Sequence, residues 1–238
     1  MINENLKHVH KVMEEAAKKA ARKVDEVTLV AVSKTKPLEA MLECLSLGET
    51  VFGENYVQEI VQKYETLQEE NAQALAHMQF HMIGHLQRNK VKYIIDKVQM
   101  IHSVDSMRLA EAIEKEAAKK EIVMPVLLEV NVAQEETKWG FSMEEIEAAI
   151  REIQDACPHV LVKGLMTSAP YTEDPESNRP YFQQLKQKLD ELQEEFEQLD
   201  TLSMGMTGDY AVAIEEGATL IRVGTGIFGA RDYANPPQ

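Results

Sequence analysis

Apolar residues gather along this chain in short runs that alternate with longer amphipathic stretches. Residues 3–23 place Leu6, Val9, Val12, Met13 and Ala16 at helical spacing, which predicts a leading helix. Runs rich in β-formers then recur at 27–32 (VTLVAV), 50–53 (TVFG), 79–83 (QFHMI), 99–104 (QMIHSV), 124–132 (MPVLLEVNV), 160–166 (VLVKGLM), 200–204 (DTLSM) and 219–223 (TLIRV). Charged, helix-favouring segments lie between or after them, at 38–47, 56–71, 87–96, 106–120, 142–155, 176–198 and 209–216. Strands alternating with helices specify parallel βαβ units. Several of the runs lack a polar alternate, as expected where both faces of a parallel sheet are covered.

Eight strand–helix repeats in 238 residues predict a closed (β/α)8 barrel with an extra N-terminal helix, at the small end of that fold's range. An open doubly wound sheet is the competing architecture. It would carry a glycine-rich GxGxxG loop after the first strand. Here that strand runs into Ser33-Lys34-Thr35-Lys36, with no glycine. No Pro-, Gly- or Ser-rich linker divides the chain. One domain over 1–238 is expected, with residues 1–24 as the leading helix and 233–238 as a frayed tail.

Composition narrows the function classes. With 25 Lys+Arg against 40 Asp+Glu the net charge is −15, which argues against a nucleic-acid-coating surface and against docking on anionic membranes. A local basic pocket for one small anion stays compatible with that total. Cys44 and Cys157 stand far apart in apolar helical patterns and read as small core hydrophobes, not as a disulfide or metal pair. The opening MINENLKHVHKVMEEAAKKAARK is too polar for a signal peptide, and no apolar run reaches the roughly 18 residues of a membrane span. A reduced, cytoplasmic, soluble protein is expected.

In a barrel, chemistry gathers at the carboxyl ends of the strands. Lys34 follows the first strand, Glu54 and Asn55 the second, Gly84 and His85 the third, and Thr167 and Ser168 the sixth. Gly205, Met206 and Thr207 follow the seventh, and Gly224, Thr225 and Gly226 the eighth. Gly-Thr-Gly offers bare backbone amides, and a short helix starting near Ile227 would aim its N-terminus at an anion. The loops after strands seven and eight are where barrels often hold phosphate. Alternatively, these glycines only permit tight turns. Arg222 lies inside a strand buried on both faces and needs a partner. That partner is either a core carboxylate such as Glu129 or an acceptor atom of a ligand. Closing the barrel sets strand one beside strand eight, which brings Lys34 near Arg222 and the Gly-Thr-Gly loop. An amine near apolar walls and another cation loses proton affinity and becomes a carbonyl nucleophile. Lysine, phosphate cup and a group facing a ring nitrogen form the pattern of a pyridoxal phosphate Schiff base. Lys36, beside Pro37 at a helix start, is expected to point outward.

The segments VAVSKTKP, FGENYVQE, FHMIGHLQRNK, LSMGMTGDY and RVGTGIFGARDY resemble those of the pyridoxal phosphate homeostasis proteins, and the likeness spans the whole chain. The resemblance implies a barrel like the N-terminal domain of alanine racemase, without that enzyme's second domain. It implies pyridoxal 5'-phosphate held as an aldimine on Lys34, Arg222 facing the pyridine nitrogen, and Asn55 near the cofactor. Phosphate contacts would come from Thr207, Gly224, Thr225 and Gly226. It also implies a monomer that buffers the cofactor or delivers it to apoenzymes. One departure stands out: Met206 is followed by Thr207-Gly208-Asp209, which keeps a hydroxyl but adds a glycine.

The site chemistry bears on catalysis separately. An arginine partner leaves the ring nitrogen unprotonated and the ring a weak electron sink. A racemase would then need two bases. Lys34 is one; Tyr56, Tyr171, Tyr210, Tyr233, His81 and His85 are open candidates for the other. A binding and homeostasis protein without catalytic residues is the leading expectation. An amino-acid racemase is the alternative, and a phosphosugar-handling barrel is a third reading. Gln183–Glu197 reads as an outer barrel helix with an acidic solvated face, and Lys138 and Trp139 as packing residues near the rim.

Overall fold

The computed structural model describes residues 1–135 and 139–229. Among these residues eight parallel strands close into a barrel in sequence order, each neighbour hydrogen-bonded to the next and the eighth to the first. The strands are β1 (Thr28–Val32), β2 (Val51–Glu54), β3 (Gln79–Met82), β4 (Met100–Val104), β5 (Met124–Glu129), β6 (Val160–Met166), β7 (Thr201–Met206) and β8 (Leu220–Val223). The helices are α1 (Ile2–Lys19), α2 (Leu38–Ser46), α3 (Val57–Glu70), α4 (Ala72–Leu75), α5 (Val91–Ile94), α6 (Met107–Lys120), α7 (Ile146–Ala156), α8 (Arg179–Gln193), α9 (Tyr210–Glu215) and α10 (Thr225–Phe228).

The strand positions follow the apolar runs, and their small offsets have local causes. β5 stops at Glu129, short of residue 132, because the chain there turns to bridge Val130 with Phe141. α7 starts at Ile146, not 142, because the Glu145 carboxylate accepts the Ser142 amide and holds a turn ahead of the helix. The segment 87–96 splits into a 3-10 turn (Arg88–Lys90) and α5. The expected helix from 176 is a 3-10 turn over Pro175–Asn178, capped by Asp174, followed by α8, which ends at Gln193. α4 is an added short helix, capped by the Asn71 carbonyl oxygen accepting from the Ala74 amide. The frayed tail and Tyr233 lie outside the described residues.

Two cores result. The larger lies between the strands and the helical ring, where Phe52, Phe80, Phe182, Ile60 and Leu67 are wholly buried. Each such side chain stabilises the fold by about 1.5–3 kcal/mol. Cys44 and Cys157 lie in it as free thiols, and burial pushes the Cys44 thiol up to about 12. Leu185, Leu189, Leu192 and Phe196 face inward, as an outer barrel helix requires. The smaller core fills the lower barrel with Val30, Val51, Leu127, Met166 and Leu220, and Met100 packs against it. Above that plug the lumen turns polar, with His81, His102, Ser203 and Arg222 all buried. No described helix is long and apolar enough to cross a membrane.

Candidate functional site

Barrel closure positions the site. β1 pairs with β8 in the register Val30↔Arg222 and Ala31↔Val223. The turn carrying Lys34 and the loop beginning at Gly224 therefore leave adjacent strands at the same end of the barrel. Lys34 is half-buried in this turn.

A buried ionic cluster shapes that turn. The Lys63 ammonium, on α3, donates to the Ser33 carbonyl (2.9 Å), to Glu54 Oε1 (2.7 Å) and to Glu59 Oε1 (2.7 Å). Glu59 Oε1 also accepts the Thr35 amide at 2.6 Å, and Ser33 Oγ donates to Glu54 Oε1 at 2.6 Å. Thr35 sits in the left-handed region at φ 62, a conformation that costs a β-branched residue energy and that these bonds hold in place. The residues on both sides of Lys34 are thus tied, directly or through Glu59, to one ammonium. Burial pushes the Glu54 carboxyl up, to about 7, with the Lys63 cation opposing. Glu54 Oε2 is buried without a hydrogen-bond partner.

Lys36 departs from its expected outward pose. It is half-buried, and its ammonium donates to the carbonyls of Phe228 (3.2 Å) and Gly229 (3.4 Å). The last carbonyls of α10 lack helical partners and carry the negative end of its dipole, so a nearby cation settles there. The first turn is thereby latched to the last helix, which Asn5 also grips through the Ile227 carbonyl at 2.8 Å.

Arg222 forms the floor. Its Nη1 donates to Ser203 Oγ (2.6 Å), and its Nη2 to the Thr167 carbonyl (2.8 Å) and to Ser168 Oγ (3.4 Å). These acceptors are neutral. Glu129, one of the two partners considered for it, forms no ion pair with Arg222 and acts on it only as a more distant charge. Burial pulls the guanidinium down to about 10, with Glu129 and Asp209 opposing, so it stays protonated at neutral pH. Of five guanidinium N–H groups, Nε–H and one on Nη1 carry no hydrogen bond. The polar chain continues from Ser203 Oγ to His102 Nδ1 (3.0 Å) and from His102 Nε2 to His81 Nδ1 (2.9 Å). Burial holds both imidazoles neutral, His81 down to about 4 and His102 well below its ordinary value. Arg222 occupies a Ser203 lone pair, which favours the arrangement that sends the serine proton to His102 and the His102 proton to His81.

The two glycine loops meet above this floor. The amides of Gly224 and Gly226 both donate to Thr207 Oγ1, each at 3.3 Å. A Cβ on Gly226 would lie 2.9 Å from Val223 Cγ1 and 3.2 Å from Thr207 Cγ2, so the loop admits no side chain. Thr225 is exposed and opens α10. The inserted Gly208 does not disturb the loop, because Asp209 fastens its base: Oδ1 accepts the Met206 amide (2.7 Å) and Oδ2 accepts Asn178 Nδ2 (2.8 Å). Gly205, at φ +90, lies where a Cβ would come within 2.5 Å of Ala213 Cβ. Asn55 leaves β2 beside the Lys34 turn, and its Oδ1 is buried without a partner.

Sequence reasoning brought Lys34, Thr207, Arg222 and Gly224 through Gly226 to this end of the barrel, together with Asn55. It missed His102, Ser203 and the Glu54–Lys63 pair. Lys63 carried a signal: it falls three residues after Ile60 and four before Leu67, on the buried stripe of α3. Among the proposed second bases, His81 is locked to His102, Tyr56 and Tyr171 are exposed, and burial raises the Tyr210 hydroxyl. Tyr233 and Lys138 lie outside the described residues. Trp139 is not the packing residue expected: it is 61% exposed.

This is a barrel of the alanine racemase N-terminal domain class, and that family description matches residues 5–232. The alanine racemase of Corynebacterium glutamicum superposes with a TM-score of 0.71 at 15% identity, covering 96% of this chain and 62% of that one, a likeness of fold. The pyridoxal phosphate homeostasis protein of Aquifex aeolicus is 46% identical over 97% of this chain and 98% of its own length. PipY of Synechococcus elongatus, solved with PLP bound, superposes with a TM-score of 0.80 at 31% identity, covering 96% of this chain and all of PipY. The chain belongs to the pyridoxal phosphate homeostasis protein family.

Proposed function

We propose that this chain is a carrier of pyridoxal 5'-phosphate that keeps the cofactor on Lys34 and serves intracellular vitamin B6 homeostasis. The observation that carries the reading is the convergence, at one end of the barrel, of three unlike groups. They are the clamped Lys34 turn, an arginine with two uncommitted N–H donors, and two glycine amides aimed at one hydroxyl oxygen. These groups fit the cofactor. The Gly224 and Gly226 amides, which donate to Thr207 Oγ1 here, would turn to a phosphate oxygen with no Cβ of their own in the way, the uncommitted Arg222 donors suit a ring-nitrogen acceptor, and the orphaned Asn55 Oδ1 awaits a donor. Lys34, Asn55, Thr207, Arg222, Gly224, Thr225 and Gly226 would hold it.

When bound, pyridoxal phosphate supplies an aldehyde that an amine captures and a ring that takes up electron density. Lys34 provides the amine. Arg222 donates hydrogen bonds and keeps its own protons, so it leaves an acceptor nitrogen unprotonated, which favours storage over turnover. The names of the relatives, homeostasis proteins and not enzymes, agree with a carrier. We read the carrier as a cytoplasmic monomer that hands its cargo to apoenzymes, in line with the lack of any membrane-spanning helix among the described residues.

The test is borohydride reduction of the loaded protein followed by peptide mapping. Modification at Lys34 is expected, with the imine absorbance band lost in Lys34→Ala. Label on Lys36 or Lys63, or a band that survives Lys34→Ala, overturns the reading. Incubation of the loaded protein with amino acids in D2O should give no Cα deuteration; exchange would return the racemase.

A further inference from the structure

We propose that the cleft between the GHLQRN loop and the start of α6 is a second ligand site, built for a small molecule that joins a planar ring to an oxyanion, of the nucleoside phosphate class. The cleft encloses about 580 Å³ and is lined by His85, Arg88, Asn89, Ser106, Arg108 and Trp139, among others. That volume suits a small molecule. None of its lining residues belongs to the group gathered around Lys34 and Arg222. The FHMIGHLQRNK motif contributes none of the seven residues proposed above to hold the cofactor.

This cleft gathers positive charge. Six arginines lie among the described residues. Arg22, Arg151 and Arg179 bond to glutamates, and Arg222 is tied into the barrel floor. Arg88 and Arg108 have no hydrogen bond or ion pair with any described residue, and both line this one cleft. A chain carrying 40 acidic residues and a net charge of −15 has carboxylates to spare for two exposed guanidinium groups. Leaving both bare in a shared concavity makes a receptor for an external oxyanion, which guanidinium binds through paired N–H donors.

The helix behind them adds donors. α6 is 14 residues long, and its N-cap Ser106 turns its hydroxyl to Asp105 Oδ1 (2.9 Å) and does not cap the helix. The Leu109 and Ala110 amides return to the Ser106 carbonyl, which leaves the Met107 and Arg108 amides without an acceptor. Open amides at the positive end of a helix favour an anion.

An aromatic shelf lies beside these donors. The His85 and Trp139 rings stack with centroids 4.4 Å apart and planes at 19°. Trp139 remains 61% exposed, so a broad aromatic face borders the bare arginines. Asp105, the one carboxylate among the described lining residues, accepts the Ser106 hydroxyl through Oδ1, while its buried Oδ2 lies 3.2 Å from His85 Nδ1 without a hydrogen bond. A flat base on that shelf with its phosphate on the arginines satisfies both halves of the cleft.

The chain has a single tryptophan, so tryptophan emission reports on this cleft directly. The full-length protein would be titrated with AMP, adenosine and inorganic phosphate, before and after loading with pyridoxal phosphate. Saturable quenching by AMP is expected, with adenosine and phosphate each at least about tenfold weaker. Arg88→Gln/Arg108→Gln should weaken AMP by at least about tenfold with unchanged melting, since neither side chain holds the fold together. Lys34→Ala should bind AMP as the wild type does, which separates this site from the cofactor's. Absence of saturable quenching, an undiminished response in the double variant, phosphate binding as tightly as AMP, or loss of AMP binding in Lys34→Ala would each overturn the proposal.

Discussion

Lys63→Met is the sharpest probe of how the Lys34 turn is held. The ammonium it removes is buried and serves three acceptors. At about pH 8 the Glu54 carboxylate, whose proton affinity burial has raised to about 7, loses its counter-cation. Without the cation that lowers it, the proton affinity of Glu54 rises further, so its cheapest response is to bind a proton, at a cost on the order of 1 kcal/mol. The Ser33 carbonyl keeps the Lys36 amide at 3.0 Å but loses its charged donor, worth a further 1–2 kcal/mol or so. The sum is about 3 kcal/mol, or roughly 6–12 °C in melting temperature for a chain of this size. At about pH 5.5 Glu54 is already protonated, the first contribution vanishes, and the loss should fall to roughly half. Differential scanning calorimetry at the two pH values, with Glu54→Gln/Lys63→Met alongside, makes the measurement. A drop below about 2 °C at the higher pH, or equal drops at both, would show that the pair does not work as described. Cofactor affinity should fall with the same substitution, because Thr35 loses its brace.

Three further outcomes follow from the same geometry. Gly226→Ala pushes a methyl group toward Val223 and Thr207 and should weaken pyridoxal phosphate about tenfold in equilibrium dialysis; unaltered affinity would remove the loop from the site. His81 is held neutral down to about 4, below its unfolded value of 6.5, so the unfolded chain takes up its proton first. Its contribution is complete above pH 6.5 and is lost as pH falls toward 4, about 3 kcal/mol in all, which urea titrations of wild type and His81→Asn would reveal as a difference in slope. Gly205→Ala places a side chain at φ +90 against Ala213 and should cost at least about 2 kcal/mol in urea unfolding; a neutral result would mean that the loop relaxes freely.

Most of the barrel could be read from periodicity, because strands covered on both faces leave unbroken apolar runs and their amphipathic helices alternate with them. Boundaries slipped where a side chain capped the backbone, as Glu145 does before α7 and Asp174 before α8. The site was legible where one residue type was out of place: a lysine ending a strand, an arginine inside one, paired glycines after the last two. What stayed hidden depended on pairing across the barrel. Nothing along the sequence says that His102 on β4 reaches Ser203 on β7, or that a helix lysine turns inward to meet Glu54. Lys36 misled for a similar reason, since the carbonyls that attract it belong to α10, at the far end of the described chain.

The pairing of the first strand with the eighth has a temporal meaning. During synthesis the β1 segment leaves the ribosome ahead of the seven other strands, whereas the Gly-Thr-Gly loop follows only after β8. On the proposed assignment, a nascent chain short of β8 could not hold the cofactor by both ends. Retention would then begin only when the ring has shut, and a product truncated before β8 would carry the lysine without the loop proposed to keep the vitamin.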